Sequence, residues 1–178
     1  MRKRKKIDSS TVFLSSIILV FTIIVFLSLP VLFNYKSVQS EIENKFFSDF
    51  KINLKILDDI SFKIFPKPHY LVKKANLDLN IEDEKSSIIE TNNLKIFIPI
   101  KKIYSKSNIE IEEIEIEKAN IYFKIDDILN FRKHVYYKIN EPVYIKNSKF
   151  FFLDKNNKTI FISTIKNINY LINKKNNS

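Results

Sequence analysis

Ile114-Glu115-Ile116-Glu117-Lys118-Ala119-Asn120-Ile121-Tyr122-Phe123 alternates apolar with polar residues and then changes phase once. Successive side chains of a strand point to opposite faces, so a period of two marks a strand with one oily and one polar side. The phase change at Ala119-Asn120 would turn the apolar set to the wrong face, so a bulge or a turn must absorb it. A second slip falls at Glu112-Glu113, just after Ile109 and Ile111.

The same period extends in both directions. Upstream it runs through Ile52, Leu54 and Ile56, then Leu77, Leu79 and Ile81, then Leu94, Ile96, Ile98 and Ile100. Downstream it resumes at Val143 and Ile145, Phe150 and Phe152, Ile160 and Ile162, and Ile168, Tyr170 and Ile172. Asp154-Lys155-Asn156-Asn157-Lys158 reads as a hairpin turn. Glycine is absent, and asparagine is the next residue to tolerate the left-handed region. Asn92-Asn93, Asn120, Asn147 and Asn156-Asn157 are therefore the expected turn positions. The pattern predicts a mainly β domain, a curved antiparallel sheet that is groove-like or a half-barrel.

Before the strands, Val38, Ile42 and Phe46 recur at helical spacing, which predicts a short amphipathic helix from Ser37 to Phe50. Ser40 and Glu43 resemble a capping box. Earlier still, no side chain from Ser9 to Tyr35 is charged, and Arg2, Lys3, Arg4, Lys5 and Lys6 precede that run. Such a run suits a transmembrane helix, and basic residues stay on the cytoplasmic side. The expected organisation is a basic cytoplasmic tail (1–11), a transmembrane anchor (12–35) and an extracytoplasmic β domain (36–178). A cleaved signal peptide is the competing reading, but the apolar run is long and no small-x-small pair follows it.

The net charge is +10 over 178 residues, and there is no cysteine. Disulfides and thiolate metal sites are excluded, and His69 and His134 alone cannot build a metal centre. The basic excess is read as topology in the tail and as a lysine-rich solvated surface elsewhere, with no nucleic-acid partner. No nucleophile elbow, phosphate-cradling glycine loop or zinc-binding histidine pair occurs. Asp58-Asp59 and Asp126-Asp127 read as turn or cap residues, and the glutamates from Glu110 to Glu117 as the solvent face of strands. The expectation is a non-enzymatic protein with no catalytic residues, no metal and no cofactor.

Phe65-Pro66-Lys67-Pro68-His69-Tyr70-Leu71-Val72-Lys73-Lys74-Ala75-Asn76-Leu77 resembles the Pro-x-Pro motif and following strand near the start of AsmA-family proteins. In the same order follow Leu94 to Ile103 with Pro99, Ile114 to Phe123, and Ile145 to Asp154, each similar to a later strand segment of that family. The turn glycines of the family are missing here, and its members usually continue for several hundred more residues. The resemblance implies an inner-membrane anchor, a periplasmic domain, and a trough of apolar strand residues that carries phospholipid toward the outer membrane. Ile96, Ile98, Ile109, Ile111, Ile121 and Phe123 are the residues expected to contact lipid. Membrane lipids and a periplasmic or outer-membrane protein are the implied partners. Two alternatives stand beside it: a lipopolysaccharide-export bridge subunit with one anchor and a small jelly-roll, and a structural anchor that recruits a partner by sheet-edge pairing.

Overall fold

The computed structural model describes residues 9–29, 36–81, 84–104, 109–125, 128, 132 and 139–170. The basic tail, the Pro30–Tyr35 exit, Asp126-Asp127, His134 and Ile172 lie outside the described residues. Chain contacts separate two units, Met1–Phe33 and Asn34–Ser178.

In the first unit, Ser9–Ser28 forms helix α1 of 20 residues without a charged side chain. Its hydroxyls turn back on the helix: Ser16, Thr22 and Ser28 donate to the carbonyls of Val12, Ile18 and Ile24 at 3.0, 2.8 and 2.7 Å. Among the described residues no helix is long and apolar enough to cross a membrane.

The second unit begins with α2, Lys36–Phe50. Val38, Ile42, Phe46 and Phe50 are buried along one face of it. Burying each is worth roughly 1.5–3 kcal/mol, enough to hold a helix whose other residues are mostly polar. Ser40 is interior to the helix, not a cap, and Glu43 does a different job. Its Oε1 accepts from Gln39 Nε2 at 3.1 Å and from the Ile56 backbone N–H at 3.0 Å, which ties α2 to the first strand. The helix ends where Lys51 takes a left-handed backbone, φ 57°, in the place a glycine usually fills.

Among the described residues eight strands follow: β1 (Ile52–Ile56), β2 (Ile60–Lys63), β3 (His69–Val72), β4 (Ala75–Ile81), β5 (Glu84–Phe97), β6 (Glu113–Lys124), β7 (Val143–Leu153) and β8 (Thr159–Tyr170). They form one open sheet in the order β1-β4-β5-β6-β7-β8, with the β2-β3 hairpin joined to the C-terminal end of β5 (Leu94–Phe97). The sheet is mixed, which corrects the antiparallel expectation: β6 and β7 run parallel, Ile114 beside Val143 and Phe123 beside Phe152. Parallel neighbours need a crossover, and the chain between Lys124 and Val143 supplies it. Asn92-Asn93 is not a turn but lies inside the 14-residue β5. The hairpin turn is where the sequence puts it: Asp154 Oδ1 accepts from the N–H groups of Asn156 and Lys158, both at 2.8 Å, and Asn157 has φ 62°.

The expected phase change is present, centred on Lys118 (φ 53°). It runs across β5 to β8. The β5–β6 ladder skips from Thr91–Ala119 to Asn93–Glu117, β6–β7 from Glu117–Lys146 to Asn120–Lys149, and β7–β8 from Lys146–Asn167 to Ser148–Ile165. Each strand shifts at the same level, so the register is kept while the side-chain phase changes.

An apolar cavity between helix α2 and strands β4 to β8

The phase change decides which side chains meet. Ile114 and Ile116 precede it and Ile121 and Phe123 follow it, yet all four line one cavity of about 200 Å³. On β7, Val143 and Ile145 join Phe150 across Asn147, which has φ 49°. Phe46 and Phe50 of α2, Leu77 and Leu79 of β4, and Ile168 and Tyr170 of β8 complete most of the wall. Nearly every lining atom is carbon, so water gains no partner there. A dry apolar cavity of ~150 Å³ already takes in a benzene-sized ligand.

The cavity wall is unevenly buried. Phe46, Phe50, Leu77, Leu79, Ile121 and Phe123 are buried, whereas Val143, Ile145, Phe150, Ile168 and Tyr170 are half-exposed. The β7-β8 side is therefore the open side, opposite α2. Of the six residues expected to contact lipid, Ile121 and Phe123 line the cavity. Ile96 is buried but lies beside Tyr70 of β3 and Ile114 of β6, outside the lining. Ile98, Ile109 and Ile111 are also buried outside it. Sequence alternation found the face but not the cavity, whose wall also takes Phe46 and Phe50 from α2.

On the other face, the glutamates are not simply a solvent row. Glu115 is 6 % exposed and held between two lysines. Its Oε1 accepts from Lys95 Nζ at 2.6 Å, and its Oε2 accepts from Lys146 Nζ. Lys95 also reaches Glu117 at 3.3 Å, and Lys67 reaches Glu113 at 3.1 Å. Burial pushes the Glu115 carboxyl up, but the hydrogen bonds and charges of Lys146 and Lys95 outweigh it and hold the group below the usual carboxylate range. The row ties β5, β6 and β7 together through one lysine on each Glu115 oxygen.

His69 is buried against Phe97, ring centroids 5.0 Å apart, and its Nδ1–H donates to the Lys67 carbonyl at 2.8 Å. Burial lowers its pKa. Asp58 and Asp59 are exposed in a loop, where Asp58 Oδ1 accepts from the Asp59 N–H at 2.8 Å. Among the described residues no three His, Asp or Glu side chains group as a metal site. No protein-family model matches the chain, and no curated protein matches it.

Proposed function

We propose that this chain is a membrane-anchored, AsmA-like module that holds lipid acyl chains against the apolar face of its sheet. The observation that carries the reading is the 200 Å³ cavity, walled by aliphatic and aromatic side chains and open toward β7 and β8. A cavity that size suits a segment of hydrocarbon chain, and its walls offer no group to bind or activate a polar substrate. The curved, groove-like form of the sheet belongs to this proposal.

Helix α1 is the proposed anchor. Its 20 residues would span about 30 Å at ~1.5 Å each, the thickness of the hydrocarbon layer. Ser16, Thr22 and Ser28 already donate within the helix, so these hydroxyls carry little cost in lipid. With the basic tail inside, the strand domain faces the periplasm, where its role is phospholipid transport and outer-membrane homeostasis without catalysis.

The test is photo-crosslinking in the membrane-bound protein. p-Benzoylphenylalanine replaces Phe150, a half-exposed cavity residue, or Lys149, its neighbour on the opposite face. Phospholipid captured at Phe150 and not at Lys149 is the expected result. Capture at neither position in a folded protein overturns the lipid reading. Protease added outside spheroplasts, with the tail and the strand domain separately tagged, tests the topology.

A further inference from the structure

Strand β8 is the last of the sheet, and among the described residues no strand pairs with its far side. Two apolar rows run to it and stop. On the cavity face, Phe123 stacks with Phe152 (6.4 Å), and Phe152 meets its cross-strand partner Phe161 (5.7 Å). On the opposite face, Tyr122 stacks on Phe151 at 4.9 Å, and Phe151 pairs with Ile162. Ile160, Phe161 and Ile162 are 60, 59 and 52 % exposed. A solvent-facing edge strand normally blunts itself with charge on at least one face, whereas the Ile160–Ile162 stretch of this one is oily on both.

The charge beside it has one sign. Lys149, Lys155, Lys158 and Lys166 are exposed along β7, the hairpin turn and β8, and Thr159–Tyr170 contains no Asp or Glu. Asp154 is engaged by the turn amides. Insertion of this end into a bilayer is opposed by the polar tip, Asp154 to Lys158. A second copy paired parallel and in register would set Lys158 and Lys166 beside their own duplicates, and one paired antiparallel about Ile162 would set Lys158 beside Lys166.

We infer that β8 is a docking edge for an extended acidic segment of another polypeptide, which adds as a further strand. Its backbone would satisfy the outward amides and carbonyls of β8. Apolar side chains of the segment would continue the rows at Phe161 and Ile162, and carboxylates would face Lys158 and Lys166. The added strand would also stand beside Ile168 and Tyr170, at the open side of the cavity. This inference does not depend on what the cavity holds.

The test uses the full chain in detergent micelles and a fluorescent peptide in which glutamate alternates with valine and phenylalanine. A photo-reactive leucine in the peptide should label Thr159–Tyr170 and not Ile52–Ile56 at the other end of the sheet. Methylating every second backbone nitrogen of the peptide should weaken binding roughly tenfold or more, because those hydrogen bonds are lost. Replacing its glutamates with lysine should abolish binding, and Ile162→Glu in the protein should weaken it. Equal binding of the methylated peptide, no binding of the acidic peptide, or labelling at β1 overturns the inference. So does a peptide-free dimer that crosslinks through Ile162→Cys, which would assign the edge to a second copy.

Discussion

Lys118 on β6 and Asn147 on β7 sit at the same level of the sheet, between the paired residues Glu117–Lys146 and Asn120–Lys149, and both have left-handed backbones. Neither is glycine; the conformation costs Lys118 about 1–2 kcal/mol, and Asn147 less, because asparagine tolerates the left-handed region. Two hydroxyls repair the interrupted ladder. Ser148 Oγ accepts from the Ala119 N–H at 3.1 Å and donates to the Lys146 carbonyl at 2.8 Å. Thr91 Oγ1 donates to the Glu117 carbonyl at 3.0 Å and accepts from the Asn93 N–H at 3.2 Å. This seam brings the apolar residues on its two sides into one cavity.

The backbone at Lys118 gives the first prediction. Lys118→Gly should leave the urea midpoint unchanged or raise it, since the exposed side chain is lost but the left-handed backbone is relaxed. Lys118→Ile should destabilise by about 1–3 kcal/mol, because a β-branched residue resists that conformation. Equal midpoints for the two variants would contradict a strained position.

Ser148→Ala removes a buried hydroxyl and strands the Ala119 N–H. The expected loss is about 1–3 kcal/mol by chemical denaturation. Ser48→Ala, on the exposed face of α2, should change stability by no more than about 0.5 kcal/mol. Similar losses at both sites would mean that the seam is not held by its hydroxyls.

Stability should fall in two steps as pH is lowered. His69 has a folded pKa below its ordinary 6.5, so the unfolded chain takes up its proton first. That loss begins near 6.5 and ends at the lower folded value. Glu115 contributes stability that is full above its ordinary 4.5 and drains as pH falls through its depressed folded pKa. Thermal melts against pH should lose the upper step in His69→Phe and the lower step in Glu115→Gln. A melt profile that keeps both steps in both variants would place the proton uptake elsewhere.

The strands, the amphipathic helix, the hairpin turn and the phase change at Ala119-Asn120 were legible because each is a local pattern of residue types. The parallel β6-β7 pairing was not, since alternation reads the same for either direction and direction depends on the crossover. The length of β5 was hidden because Asn92-Asn93 signals a turn, whereas inside β5 neither residue takes a left-handed backbone. Glu115 looked like a solvent residue for a related reason: its burial comes from Lys95 and Lys146 on two other strands. The cavity depends on the seam and on where α2 lies, so alternation, which grouped Ile96, Ile98, Ile109, Ile111, Ile121 and Phe123 as one lipid-facing set, could not separate Ile121 and Phe123, which line it, from the other four.

Changing the volume of the cavity tests both its existence and its use. Leu77→Ala removes a buried wall and should destabilise the lipid-free protein by about 2–5 kcal/mol. Val143→Phe projects a larger side chain into the space from the half-exposed side. At about 24 cal/mol per Å³ of cavity filled, a gain of ~50 Å³ in side-chain volume is worth about 1 kcal/mol, or a few degrees in Tm. The same variant should carry less co-purifying lipid by mass spectrometry, because the ring occupies the place of the hydrocarbon. Val143→Phe with lowered stability and unchanged lipid would mean that the space does not admit a side chain from this side and does not hold the lipid. Raised stability with unchanged lipid would confine the acyl chains to another part of the apolar face.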